Sequence, residues 1–323
     1  MAKGNGILRK IRGSVGDLNY RVNKGQQVLA AKATSVRNPK SKGQMGQRTK
    51  WANVLAIYQA SSKALHDGFE NKAQNLSDYN MFMSINLQAT PVYLTKRESS
   101  LKASIAAPYK ITQGSLPSIL VTGNDASAVT DIALGSLIIG PATTVAELAK
   151  AIVQNNSNWE YGDQLSYFSY VQLINPNEGY PYVVCTKSKV ELMLDDDSLL
   201  YDVVPEYGFA SRNGFLAHGT DRGQGAFAWV HSRKTANKTM VSTQILVVNN
   251  DLYAEYTSQA KFAEAARSYG VTDAVFLKPD EENDNAPAES VVTPPSDNQD
   301  NTQTGGSTPV TPPAGGGDNG LGE

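Results

Sequence analysis

Apolar and polar residues alternate at period two near the start of the chain, and the alternation then gives way to a helical period. In VGDLNYRVN, Leu18, Tyr20 and Val22 alternate with Asn19 and Arg21 behind Val15, and QQVLAAKA answers after Lys24-Gly25. This pattern predicts an antiparallel β-hairpin. Gly13 and Gly16 mark sharp turns or close backbone approach. Asn38-Pro39 ends the extended segment. Trp51, Val54, Leu55, Tyr58 and Leu65 then fall on one face of a helix that starts near Ser41 and stops at Gly68, which puts the Trp51 ring in the core. A second helix is expected in SDYNMFMSINL, with Ser77 as N-cap and Tyr79, Phe82, Met83 and Leu87 turned inward, and Pro91 closes this unit.

From Val92 the period shortens again. KASIAAPYKIT, LPSILVTG and TDIALGSLIIG read as strands between turn residues. TVAELAKAIVQNN is a helix opened by a capping box of Thr144 and Glu147, with Val145, Leu148, Ala149, Ile152 and Val153 as its buried stripe. Strands follow in DQLSYFSYVQLI, YPYVVCT, KVELML, AFAWVHSRK and MVSTQILVV. A last helix, SQAKFAEAARSYG, is capped near Thr257 or Ser258 and stopped by Gly270. The fold class expected is α+β: an N-terminal hairpin with helices, then a mainly antiparallel strand-rich domain with two intercalated helices. Pro279 to Glu323 lacks the apolar content to offset the entropy of ordering and reads as a disordered acidic tail rich in Pro and Gly. The domain division is therefore 1–91, 92–278 and 279–323.

Charge sharpens this division. Residues 1–50 hold twelve Lys and Arg against one acid, Asp17, while 279–323 hold nine acids and no Lys or Arg. The chain is −2 overall, and residues 51–278 account for −4. So polarised a chain is expected to meet something acidic at its front end. The cations taken as partner-binding are Lys3, Arg9, Lys10, Arg12, Arg21, Lys24, Arg37 and Arg48. If about six of them met phosphates, affinity would fall roughly 10³-fold between 50 and 200 mM salt. No recognition helix, paired RNP aromatics or zinc finger accompanies them. DNA is accordingly the second choice behind an acidic protein surface.

Candidate chemistry is sparse. The histidines, His66, His218 and His231, belong to no HExxH, and Cys185 has no Cys or His at ligand spacing. Asp195, Asp196 and Asp197 lack the alternation and downstream Glu of an EF-hand and read as a solvated turn. HGTDRGQGAF has neither a P-loop Lys-Ser/Thr nor GxGxxG spacing, and no GxSxG surrounds Ser232 or Ser242. The expectation is a non-enzyme with no catalytic residue, metal or cofactor. One cysteine makes no internal disulfide, and an inert, buried thiol is expected. The N-terminus has no apolar signal region, and no run approaches the ~20 residues of a membrane span.

Several strings, GILRKIRGSVGDLNYRVNKGQQV, VRNPKSKGQMGQRTKWANVLAIYQ, SDYNMFMSIN, APYKITQGSLP, TVAELAKAI with YGDQLSYF, and GAFAWVHSRK with VSTQILVV, resemble an uncharacterised domain family common in gut Bacteroides-type bacteria, their prophages and crAss-like phages. They span most of residues 1–270, and the acidic tail lies outside them. The resemblance implies a phage structural protein and transfers no catalytic residue. The function expected is a virion component of a tailed phage, made in the host cytoplasm and attached to capsid, head fibre or connector. It would dock through its basic N-terminal module on other virion proteins, in repeated copies or as a homo-oligomer.

Overall fold

The computed structural model describes residues 2–3, 13–23, 26–32, 42–70, 72, 76–89, 91–124, 127–219, 223–236 and 238–271, and the expected tail lies outside them. The fold is α+β with mostly antiparallel sheets. Strands β1 (Ala2–Lys3), β2 (Gly13–Val15), β3 (Leu18–Asn23) and β4 (Gln26–Ala31) form an antiparallel sheet in the order β1-β4-β3-β2. The expected hairpin is its centre, with Asn23 opposite Gln26 and Leu18 opposite Ala31. Strand β2 joins β3 through Gly16-Asp17, where Gly16 has φ of 55°. A two-residue hairpin loop with positive φ at its first position matches the strand twist, and Gly supplies it without steric cost.

Helix α1 (Lys42–Ser61) begins where expected, ends at Ser61 rather than at Gly68, and buries a wider face than its apolar stripe marks. Its buried residues are Met45, Thr49, Asn53, Val54, Ile57 and Ser61, whereas Trp51 is 43% exposed. The placement of Trp51 in the core is therefore corrected. The other expected positions hold, with Val54 and Leu65 buried and Leu55 and Tyr58 packed against the same core, and the stripe widens to take in the polar Thr49, Asn53 and Ser61. Thr49 and Ser61 are satisfied locally, their hydroxyls donating to the Met45 and Ile57 carbonyls at 3.0 and 2.7 Å. Asn53 reaches further. Its Oδ1 accepts from the Ile105 amide at 2.7 Å, and its Nδ2 donates to the Ile105 carbonyl at 3.1 Å and to the Tyr109 hydroxyl at 2.8 Å.

The segment Asn53 holds, 103–110, is largely buried, yet only Lys110 belongs to a strand. Some of its backbone groups meet other backbone, Ser104 N donating to the Pro181 carbonyl at 3.0 Å and the Tyr109 carbonyl accepting from Leu246 N at 3.0 Å, and several others meet side-chain amides. On α2 (Asp78–Ala89), Asn86 accepts from the Lys110 amide at 2.8 Å and donates to its carbonyl at 2.9 Å. Gln172 accepts from the Ala106 amide at 2.9 Å and donates to the Ser104 carbonyl at 3.0 Å. Asn250 donates to the Ala106 carbonyl at 3.2 Å. These contacts supply what a neighbouring strand would supply.

The remaining elements are α3 (Lys96–Ser100), β5 (Lys110–Thr112), β6 (Val121–Thr122), β7 (Val129–Ala133), α4 (Val145–Asn155), β8 (Gln164–Ile174), β9 (Pro181–Glu191), α5 (Leu200–Val203), β10 (Ala210–Arg212), β11 (Phe215–Ala217), β12 (Gly225–Lys234), β13 (Thr239–Val241), β14 (Gln244–Ile245), β15 (Val247–Asn249), α6 (Leu252–Tyr256) and α7 (Gln259–Ser268). The main sheet runs β13-β12-β8-β9, with β15 also on β12; smaller sheets run β10-β11-β7-β6 and β14-β5. YPYVVCT and the first half of KVELML fall in one strand, β9, rather than two. LGSLIIG, expected as strand, is turn and coil.

Both faces of the main sheet are covered. Phe168, Tyr170 and Val230 pack with Val54, Ile57 and Phe82 of α1 and α2, so this core crosses the sequence boundary at 91/92. Leu165, Tyr167 and Trp229 pack on the other face with Leu148 and Ile152 of α4. Helix α4 has the expected capping box: Glu147 N donates to Thr144 Oγ1 at 3.2 Å, and Thr144 N to the Glu147 carboxylate at 3.1 Å. Ser258 caps α7, and Gly270 follows it at φ of 83°.

Two substitutions separate the observed face of α1 from the expected one. Asn53→Leu orphans both backbone groups of Ile105 and is expected to cost on the order of 3 kcal/mol in urea denaturation. Trp51→Ala is expected to cost about 1 kcal/mol or less.

Candidate docking surface and buried polar clusters

The cations singled out in the sequence divide between described and undescribed residues. Arg9, Lys10, Arg12, Lys24 and Arg37 lie outside the described residues. Lys3 on β1 and Arg21 on β3 are both register partners of Val28 on β4, so the sheet sets them in one row. Arg21 is exposed, and so is Arg48 on α1. The sheet itself is open. Ser14, Asn19 and Arg21 are exposed on one face, and Leu18, at 40%, and Ala31 on the other. Direct cross-strand partners share a face, which groups Leu18, Tyr20, Leu29 and Ala31 on an apolar side, and Ser14, Asn19 and Arg21 with Ala30 and the buried Val28 on the other.

The histidines have different surroundings. His66 is exposed beside Asp67, at 2.8 Å. His218 is buried, with Nε2 2.8 Å from the Tyr167 hydroxyl. His231 is buried in the most elaborate cluster of the molecule. Its Nε2–H donates to Asp163 Oδ2 at 2.8 Å, and its ring stacks on Trp159 with centroids 3.7 Å apart. Arg233 adds a two-pronged contact, Nε to Asp163 Oδ1 at 2.7 Å and Nη2 to Oδ2 at 2.8 Å, and reaches Glu160 at 2.8 Å. The sequence pattern offered no sign of this, because Asp163 and His231 are 68 residues apart and meet only through the β8-β12 register.

An Asp–His pair invites comparison with a catalytic relay, which requires a nucleophile on the second ring nitrogen. Here Nδ1 is buried without a hydrogen-bond partner, and Ser242 bonds the His231 backbone amide instead, at 3.0 Å. His231 and Asp163 have essentially no solvent access. The arrangement ties the 156–163 segment to β12. Burial alone would raise the Asp163 pKa, but the donors from Arg233, His231 and the Glu160 amide outweigh it and hold the carboxyl well below the usual range.

A second buried cluster joins α3, α6 and α7: Glu98 Oε1 accepts from the Tyr256 hydroxyl at 2.8 Å and from Lys261 at 2.9 Å. Cys185 is partly buried, and burial pushes its thiol up to about 11. Asp196 closes a local turn by accepting from the Ser198 amide at 3.0 Å. Among the described residues no three His, Cys, Asp or Glu are placed to hold a metal ion, and no helix is long and apolar enough to cross a membrane.

These features define an α+β protein in which a basic antiparallel sheet, with exposed residues on both faces, precedes a larger sheet covered on both. Residues 10–104 match the model of a family of unknown function, DUF6266. No curated protein and no solved structure matches the chain.

The Asp163 cluster predicts acid sensitivity with a definite sign. A carboxyl depressed in the fold adds stability above its unfolded pKa, about 3.9, and loses it as pH falls toward the folded value. Asp163→Asn is expected to cost on the order of 3 kcal/mol at neutral pH, with the gap to wild type narrowing below about pH 4. Urea denaturation across pH measures both.

Proposed function

We propose that the chain is a non-enzymatic structural component of a tailed-phage particle, docking through its basic N-terminal sheet on an acidic protein surface there. The observation that supports this most is the openness of that sheet. A few short strands with little of either face covered are marginally stable, and this sheet, in which Val28 alone among the described side chains is buried, holds Leu18 and Arg21 in water while the main sheet is covered on both faces. A partner that covers the apolar side and neutralises the cations would supply the missing layer. The twelve Lys and Arg of residues 1–50 give the contact its sign. The phage setting rests on the resemblance of the strings quoted above.

Mass spectrometry of purified particles is expected to find the protein, and its absence would remove the reading. Within particles, Arg9→Glu with Arg12→Glu, and separately Arg21→Glu, are expected to lower incorporation about tenfold or more, the equivalent of ~1.4 kcal/mol. Circular dichroism of both variants should match wild type. A gel shift with duplex DNA that weakens steeply with added salt, together with normal incorporation of these variants, would replace the proposal with DNA association.

A further inference from the structure

A second cationic site lies on the body of the protein, away from residues 1–50. Helix α1 ends at Ser61, the chain turns through 62–67, and the end of the main sheet emerges beyond it. A cavity of about 150 Å³ opens there, with Lys187 and Lys189 from β9, Gln164 and Ser166 from β8, and Ser232 and Lys234 from β12 along its walls. It continues past Lys63 at one end and towards Lys238 at the other. The result is an elongated groove.

Its three central lysines have no acid within ion-pair distance among the described residues. Two acids lie nearby: Asp67, which also lines the cavity and whose charge acts on Lys187, and Glu70, which accepts from the Ser115 and Val241 amides. Lys187 is held in place, its ammonium donating to the Ala64 carbonyl at 3.1 Å and lying 5.0 Å above the Phe168 ring. Burial, and then the charge of Lys189, lower its pKa. Lysines on an outer strand such as β9 also deter pairing with foreign sheets. Lys234, on β12, pairs with Thr239 of β13 and lies beyond the β8 pairing, which stops at Ser232.

We propose that this groove binds an extended acidic segment of another protein molecule, whose carboxylates meet Lys187, Lys189 and Lys234. Lys187 and Lys189 are two residues apart on one strand face, a spacing of roughly 7 Å that same-side carboxylates of an extended peptide reproduce. Single-stranded nucleic acid is disfavoured by the lack of a stacking platform, since Phe168 is only 1% exposed beneath Lys187. The net charge of −4 on residues 51–278 also repels a long polyanion, whereas a short segment senses mainly the groove.

The test is fluorescence anisotropy of the full chain with a labelled peptide of alternating Glu and Ser at low ionic strength. Binding is expected, with the Gln-Ser peptide silent. Lys189→Glu with Lys234→Glu should weaken it about tenfold or more, while thermal unfolding stays as in wild type. The Arg9→Glu, Arg12→Glu, Arg21→Glu protein should bind as wild type, which separates this site from N-terminal docking. No binding by wild type would overturn the proposal, as would loss in the arginine variant but not the lysine one. Tighter binding of a single-stranded oligonucleotide at the same lysines would overturn it too.

Discussion

The fold depends on how a buried segment outside the sheets gets the hydrogen bonds that a strand ladder would give it. Residues 103–110 run through the centre of the larger core, where an unpaired amide or carbonyl costs about 1–3 kcal/mol. Asn53 from α1, Asn86 from α2, Gln172 from β8 and Asn250 from the approach to α6 meet several of those groups in turn. A carboxamide carries a donor and an acceptor side by side, so it can satisfy both groups of one residue, as Asn53 does for Ile105 and Asn86 for Lys110. Each helix is thereby fixed to the segment in one register, and Gln172 fixes the segment to the main sheet. Apolar packing of Ile57, Phe82 and Phe168 is non-directional and supplies the bulk of the attraction. The amides determine which arrangement it takes.

That division explains what could be read from the sequence. Elements whose signals are local were legible: the β3-β4 hairpin, the Thr144–Glu147 box of α4, the Ser258 cap, and the strands β8 and β12. The face of α1 was legible only in part: Val54, Leu55, Tyr58 and Leu65 meet the core, but the buried Thr49, Asn53 and Ser61 are polar, and Asn53 finds a partner 56 positions away. Trp51 looked like an anchor and stays half in water. The charge polarity of the candidate docking sheet was plain in the composition of residues 1–50. The lysine groove was not, since KSK and SRK become neighbours only when β9, β8 and β12 align.

Charges are handled in two opposite ways. In the interior every conspicuous ion has partners: Asp163 with Arg233 and His231, Glu98 with Lys261 and Tyr256, Glu70 with two backbone amides. A buried charge left alone would be very costly, so such completeness is what burial demands. At the surface the three groove lysines form no ion pair among the described residues, and Asp67 offsets only part of the charge at Lys187. Keeping like charges close together, one of them braced by the Ala64 carbonyl, opposes stability unless an anion arrives. The contrast between satisfied interior and unsatisfied groove is the physical basis for reading the groove as a site.

The extent of the family match fits this construction in an instructive way. It runs from residue 10 to residue 104 and so contains Asn53 and Asn86 but stops at the threshold of the backbone they hold. Val54, Ile57 and Phe82 lie inside the match, whereas Phe168, Tyr170 and Val230, on which they pack, lie well beyond it. In this chain, then, the matched stretch is not a self-sufficient unit. Removed from the rest, α1 and α2 would expose their apolar face and two carboxamides with nothing to bond but water. The later strands complete the fold of the earlier helices, and the N-terminal sheet, open on both sides, is the part left for a partner to complete.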